Sequence, residues 1–543
     1  MQTPAFAATK TPRTWRLFRG MIWVAAVMAA CLCPTLAFGQ TNSSWNGGTG
    51  NWSNATDWNP NQVPNNGGGN TYNVTIDSLT STDFTLLNIN ATVDSLVVGG
   101  TTGALTSTLE IGVVQSLDVT GALTVNPTGS LNMSSFNSLT VGGTFTNSGT
   151  VDLATGTGNT ASVGALTNNS FLIIGGTLNL TNQPNGITDI VAGSIWVVDG
   201  TINAGSNNGL ANLSSIEGVL NLGNGQTTTV TPSSGTLMVN SSSIGHSDLV
   251  LQSGTTLVVN GSLTNSSRVS VGESELAVTD TFTNNGVLEL GSSGTISPSH
   301  TTTANLGSLI NNGSVTIDLA GLTSVVANVG TVTNMGTITI GSGTSLNLTN
   351  SGGSFVQTSG QTVVNGTLNS VPAVQIQGGT LSGSGTINAN VIMGGTISPG
   401  NSPGILTING NYTQTAFGAY VAELAGLTAG TGYDQLDVSG TANLDGTLDV
   451  SLINGFTVAL GDSFILMKYD SETGTFSMVD LPKLGNGLKW DLSYDPGFID
   501  LSVTSGVTTT PEPSAYLLWG TVGLLGIGIW ARRRFGRGLG SSV

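Results

Sequence analysis

"LTVGGTFTNSG", residues 139–149, decides the fold. Leu139 and Val141 are apolar and Thr140 between them is polar, the two-residue period of a half-buried strand. The pair is one of a series with Leu117 and Val119, Leu123 and Val125, and Leu131 and Met133. Each run is only three to six residues long and stops at Gly, Asn or Ser. The ending also repeats, as "FTNSG", "LTNNS", "LTNSS", "FTNNG", "INNGS" and "VTNMG", carried by Asn147, Asn168, Asn265, Asn284, Asn311 and Asn334. Neighbouring gaps are 21, 19, 27 and 23 residues, with one interval of 97 between Asn168 and Asn265. A period near twenty with several short strands in each repeat predicts an all-β chain, a right-handed parallel β-solenoid over residues 86–393. Asn and Gly are expected to turn its corners with φ > 0, and stacked asparagines to bond along the axis as ladders. A row of β-sandwich domains shares this strand and turn composition. The fixed phrases, and the lack of an aromatic core signature between residues 86 and 380, favour the solenoid.

Composition agrees with a core built from short pieces. Charged residues make up 8% of the 543, far below the roughly 25% of ordinary domains, while apolar residues still reach 38%. Eight of the twelve basic residues lie before residue 20 or after residue 530. The body from Gln40 to Pro511 holds 28 acidic and four basic side chains, a surface that repels phosphate backbones, so nucleic-acid binding is not expected.

The chain begins with a basic region, Lys10 to Arg19, then "MIWVAAVMAACLCPTLAFG". Ala37 and Gly39 occupy the small-residue positions of a cleavage site, so residues 1–39 read as a secretory signal peptide and Gln40 as the mature start. An uncleaved anchor, or a lipoprotein signal with Cys31 as the lipidated residue, are the competing readings. Both cysteines, Cys31 and Cys33, fall inside this segment, so the exported body is expected to use no disulfide and no thiolate metal site.

Residues 40–85 differ from the repeats. Trp45, Trp52 and Trp58 lie within fourteen residues, either as a cap over the solenoid's open end or as platforms for stacking on sugar rings. Residues 394–505 differ too, with longer strands and returning aromatics, and read as a separate all-β module closing the other end. Residues 506–513 form a linker containing Pro511-Glu512-Pro513. Within 514–543, an uncharged run from Ser514 to Ala531 precedes Arg532, Arg533 and Arg534. At about 1.5 Å per residue this run predicts a single transmembrane helix, its arginines on the cytoplasmic side.

No catalytic constellation stands out. A lyase needs basic groups, and Arg268 is the sole one between residues 20 and 467. His246 and His300 stand alone, and no metal-ligand spacing appears, so no enzyme, cofactor or metal is expected. A matrix polysaccharide hydrolase on a β-helix scaffold is the alternative, and it requires two facing carboxylates.

Two resemblances bear on function. "PGNSPGILTINGNYTQ" with "YDQLDVSGTANLDGTLDV", together with the opening "WNGGTGNWSNATDWNPNQVP", is similar to the strand modules of autotransporter and adhesin-like surface proteins, although no outer-membrane barrel pattern follows. The tail resembles the PEP-CTERM sorting signal of Gram-negative bacteria, with Pro511, Glu512 and Pro513 as the processing motif and Arg532, Arg533 and Arg534 as its basic end. That resemblance implies recognition by exosortase at the inner membrane. It also implies a surface or exopolysaccharide-matrix location, with exopolysaccharide as a partner. The expectation is a structural or adhesin-like exported protein.

Overall fold

A computed structural model describes residues 39–506, apart from 78–79, 154–157, 224, 241–247, 292–300, 319–323 and 349. The chain winds as a parallel β-solenoid with three faces. On the first face nineteen short strands stack in one series, from Thr49–Asn51 to Met478–Asp480, each paired in parallel with the coil before and after. Nineteen strands at about 4.8 Å make a rod of about 85 Å along this face.

The stretch 139–149 shows how a coil is made. Ser138–Asn147 is a single bent strand lying on two faces. Leu139 and Val141 point inward on the second face, and Phe145 and Asn147 point inward on the third. The pairing with Thr160–Asn168 shifts register between Val141 and Thr144, where Gly142 and Gly143 turn the corner. A Cβ at Gly142 would sit 2.4 Å from the Thr120 carbonyl oxygen of the coil below, so the coils meet here through bare backbone. Gly149 turns the next corner for the same reason, its Cβ position 2.3 Å from the Asn126 carbonyl oxygen. Thr150–Asp152 then joins the first face.

Strand alternation fills the interior. Leu288, Val315 and Ile338 stack in register on the first face, with Leu290, Ile317 and Ile340 beside them, all buried. Each fully buried aliphatic side chain contributes roughly 1.5–3 kcal/mol, which is how a chain with few charges and no disulfide among its described residues holds together. The core does include aromatics in the repeat region. Phe145, Phe282 and Phe355 are fully buried and Trp196 nearly so, each occupying an ordinary inward strand position.

The asparagines are buried ladder residues in extended backbone, and none of the six has positive φ. Asn265 donates to Asn284 Oδ1 (2.8 Å), Asn284 to Asn311 Oδ1 (2.8 Å), Asn311 to Asn334 Oδ1 (2.9 Å), and Asn334 to Gln357 Oε1 (3.0 Å). Each amide also reaches a strand carbonyl of the next coil, as Asn284 reaches Ser314 O at 2.9 Å. Asn147 and Asn168 form a separate rung at 2.7 Å.

The parallel stack runs beyond 86–393 at both ends. Gly39–Trp45 pairs in parallel with Asn70–Ile76, so the tryptophan-rich segment is already the first coil. It also caps, because Trp58–Asn59 folds back antiparallel against Gly39–Trp45. At the other end Thr396–Pro399, Ala419–Leu424 and Thr447–Leu452 continue the first face without a break. The antiparallel closure is the hairpin Leu488–Asp495 and Phe498–Ser505, the latter pairing back on Ser463–Lys468.

The fold expectation needs one correction. The described chain is all-β, its only helical segment being the 3-10 turn Ala55–Asp57, and no helix among the described residues is long and apolar enough to cross a membrane. The transmembrane helix expected at residues 514–531 therefore has no counterpart in the observed fold, and that segment lies outside the described residues.

Continuity differs between faces. The first face is unbroken through Phe171–Ile174, Ile195–Val198 and Val219–Leu222. On the second face Thr201–Ala204 is followed by an antiparallel partner, Asn207–Asn208, and Thr227–Val230 starts a new stack. On the third face the new stack starts at Asp189–Ile190. In this zone two of the three ladders are interrupted.

Candidate interaction surface

The three tryptophans are interior residues. Trp52 and Trp58 are fully buried and Trp45 is 4% exposed. Their rings meet edge to face, with centroids 4.9 Å apart for Trp45–Trp58 and 4.8 Å for Trp52–Trp58. Each indole N–H is spent inside the protein: Trp52 on Pro64 O (2.9 Å), Trp58 on Trp52 O (2.9 Å) and Trp45 on Gly48 O (3.2 Å). The sugar-stacking alternative is thereby corrected, because no ring face is open to a ligand.

Gly39 and Gln40 are exposed at the start of the first strand, where the Gln40 side chain donates to Asn73 Oδ1 and Asp94 Oδ2 at 3.2 Å each. Ala37, Pro511, Glu512, Pro513, Arg532, Arg533 and Arg534 lie outside the described residues, as do His246 and His300.

Carboxylates are scattered, and no group of acidic, His or Cys residues suited to a metal ion occurs among the described residues. The most perturbed acid is Asp434, which is fully buried. It accepts from the backbone N–H of Gly404 (2.7 Å) and of Glu423 (3.0 Å), holding the Gly400–Gly404 loop against the rod. Burial pushes its carboxyl up to about 6, the two backbone bonds and the nearby Glu423 charge acting as smaller influences. Glu423 in turn accepts from the Ser402 hydroxyl. These two acids are spent on holding a loop, whereas a glycosidase pair must flank an open groove. Arg268 with Glu289 at 2.7 Å and Lys468 with Asp437 at 3.9 Å are ion pairs of the surface.

One long, regular stretch of surface is polar and uncharged. On the second face Asn305, Asn328, Asn347, Asn369, Asn388 and Asn409 form an outward ladder. Its links span 2.6–3.0 Å, as in Asn388 to Asn369 and Asn347 to Asn328. Beside it run Thr303, Ser345, Thr367, Thr386 and Thr407 in one register row, in which Val326 is the apolar member between Thr303 and Ser345. From residue 319 to 422 the chain carries no Asp, Glu, Lys, Arg or His at all. Sequence reading missed this ladder, although its signal is plain: an Asn directly after an inward apolar residue in "ANL", "ANV", "LNL", "LNS", "INA" and "ING".

No protein-family model and no curated protein matches this chain.

Proposed function

We propose that this chain is an exported, non-catalytic rod of a bacterial cell surface or exopolysaccharide matrix, processed by an exosortase at Pro511-Glu512-Pro513. One observation carries the reading: a single parallel stack of nineteen strands whose flank offers a long, regular, uncharged face of Asn, Ser and Thr. Such a face suits many weak hydrogen bonds along an extended polymer. The N-terminal segment read as a signal peptide and the PEP-CTERM-like tail supply the route.

The test is expression in a host with its own exosortase, followed by N-terminal sequencing, sizing and cell fractionation. A mature start at Gln40, a shortened C-terminus and recovery from the surface or matrix are expected. Changing Pro511 and Pro513 to Ala should block the shortening. A double variant processed like the parent, or a chain retained in the cytoplasm, sinks the proposal.

A further inference from the structure

Most side-chain amides of the C-terminal coils are tied into ladders, but Gln375 and Gln377 make no side-chain hydrogen bond to the protein among the described residues, and neither does the Thr415 hydroxyl. They lie close together. Gln375 is in register with Ile392 and Thr413 on three successive coils, and Gln377, Gly394 and Thr415 follow at the next corner. Neighbouring coils are about 4.8 Å apart, so Gln377 and Thr415 flank Gly394 across a gap of roughly 10 Å. Gly394 keeps that gap open, since a side chain there would begin 3.4 Å from Thr415 Oγ1.

Phe417 overhangs the gap. It sits in the turn closed by Gly418 N–H to Thr415 O at 2.9 Å, and it is 90% exposed, the most exposed large apolar side chain among the described residues. A ring held on a tight turn over a cleft, touching almost nothing of its own protein, is out of place in a core-forming role. The cleft has a volume of about 260 Å³, lined by Gln375, Gln377, Ile392, Gly394, Thr415 and Phe417. It lies wholly within the charge-free part of the chain.

We propose that this cleft binds one ring of a neutral polysaccharide. The apolar C–H face of a pyranose packs on Phe417 and Ile392. Its hydroxyls, which both donate and accept, are matched by two free amides and a hydroxyl that do the same. Uronates are disfavoured, because no cation stands in the cleft to offset their charge while the rod as a whole is acidic. The inference rests on the reading of the chain as a matrix rod and names its ligand class.

The experiment is isothermal titration of the purified exported chain with cellohexaose, laminarihexaose and maltohexaose, and with hexagalacturonate as the charged comparison. At least one neutral hexasaccharide should bind, and Phe417→Ala should weaken it by about tenfold, the scale of one lost aromatic contact. Phe417→Trp should bind like the parent, and Gln375→Ala with Gln377→Ala should weaken binding several-fold. Phe417→Ala should melt at the parent's temperature, because the ring is almost entirely outside the fold. The proposal is overturned if none of the three neutral sugars binds, if Phe417→Ala binds as well as the parent, or if hexagalacturonate binds more tightly. Fractionation and sizing read location and not affinity. A chain found in the matrix that ignores these sugars sinks only the cleft, and a cytoplasmic chain that binds them through Phe417 sinks only the export reading.

Discussion

Asn284 illustrates what a single side chain does in this rod. Buried between two coils, it accepts from Asn265 and donates to Asn311 Oδ1 and Ser314 O. Asn284→Ala should lower the stability of the C-terminal coils by about 1–3 kcal/mol, because Asn265 loses its acceptor in a dry interior. A reduced urea midpoint with unchanged slope is the expected reading. Asp434 makes a second prediction at this scale. The folded chain holds its proton more tightly than the unfolded chain, with the midpoint raised from 3.8 to about 6. Protonation therefore favours folding, and this group's contribution, at most about 3 kcal/mol, is present near pH 4 and is lost as pH rises through 6. In urea titrations at several pH values, the parent should show this fall relative to Asp434→Asn, and parallel curves would refute it. The six ladder asparagines were legible because a phrase repeats, but φ > 0 was the wrong cause: hydrogen-bonding capacity inside an extended strand places them. The tryptophans were legible as a cap, but the stacking alternative failed because clustering in sequence says nothing about which side of a strand faces water. Phe417 was not legible, since its exposure depends on a turn and on the coil beneath it.

At the scale of the strand, alternation was legible and the corners were only partly so. Val125 and Val141 are inward residues, fully and almost fully buried. Val125→Asp or Val141→Asp should cost on the order of 3–5 kcal/mol through an unpaired buried carboxylate, measured as loss of the cooperative thermal transition. The corners obey a different constraint. Gly336 has ordinary φ, yet a Cβ there would lie 2.1 Å from Gly313 O. Gly336→Ala should destabilise by about 1–3 kcal/mol, and by more than alanine placed at the open corner of Gly352, where nothing lies within 4 Å. A sequence shows that glycine recurs, whereas the neighbour that forbids a side chain belongs to the previous coil, about twenty residues away. For the same reason residues 394–505 looked like a separate module: wider coils there hold Tyr412, Tyr420 and Phe464 inside, while the parallel stacking continues as far as Met478–Asp480.

The whole molecule is a one-dimensional stack in which each coil touches its neighbours, so its cooperativity depends on how many faces join them. Between Asn168 and Thr227 the third face and then the second are each broken once, at different coils, and only the first face passes through the whole zone unbroken, which matches the interval of 97 residues between the ladder asparagines Asn168 and Asn265. The two halves should therefore unfold in separate steps. Trp45, Trp52, Trp58 and Trp196 report on one half and Trp490 on the other. Urea unfolding followed in variants keeping one group or the other should give two midpoints, and coincident curves would refute the division.

The strands that turn back at each end have a further consequence. A parallel coil presents an edge that another copy of the same coil can extend, the geometry by which fibrils template their own growth. Here Trp58–Asn59 runs against the first strand, and Phe498–Ser505 runs against the last strand of the second face. An incoming coil at these edges meets a strand of opposite direction and cannot continue the winding. Each molecule is thus a rod of fixed length encoded by its own repeat number.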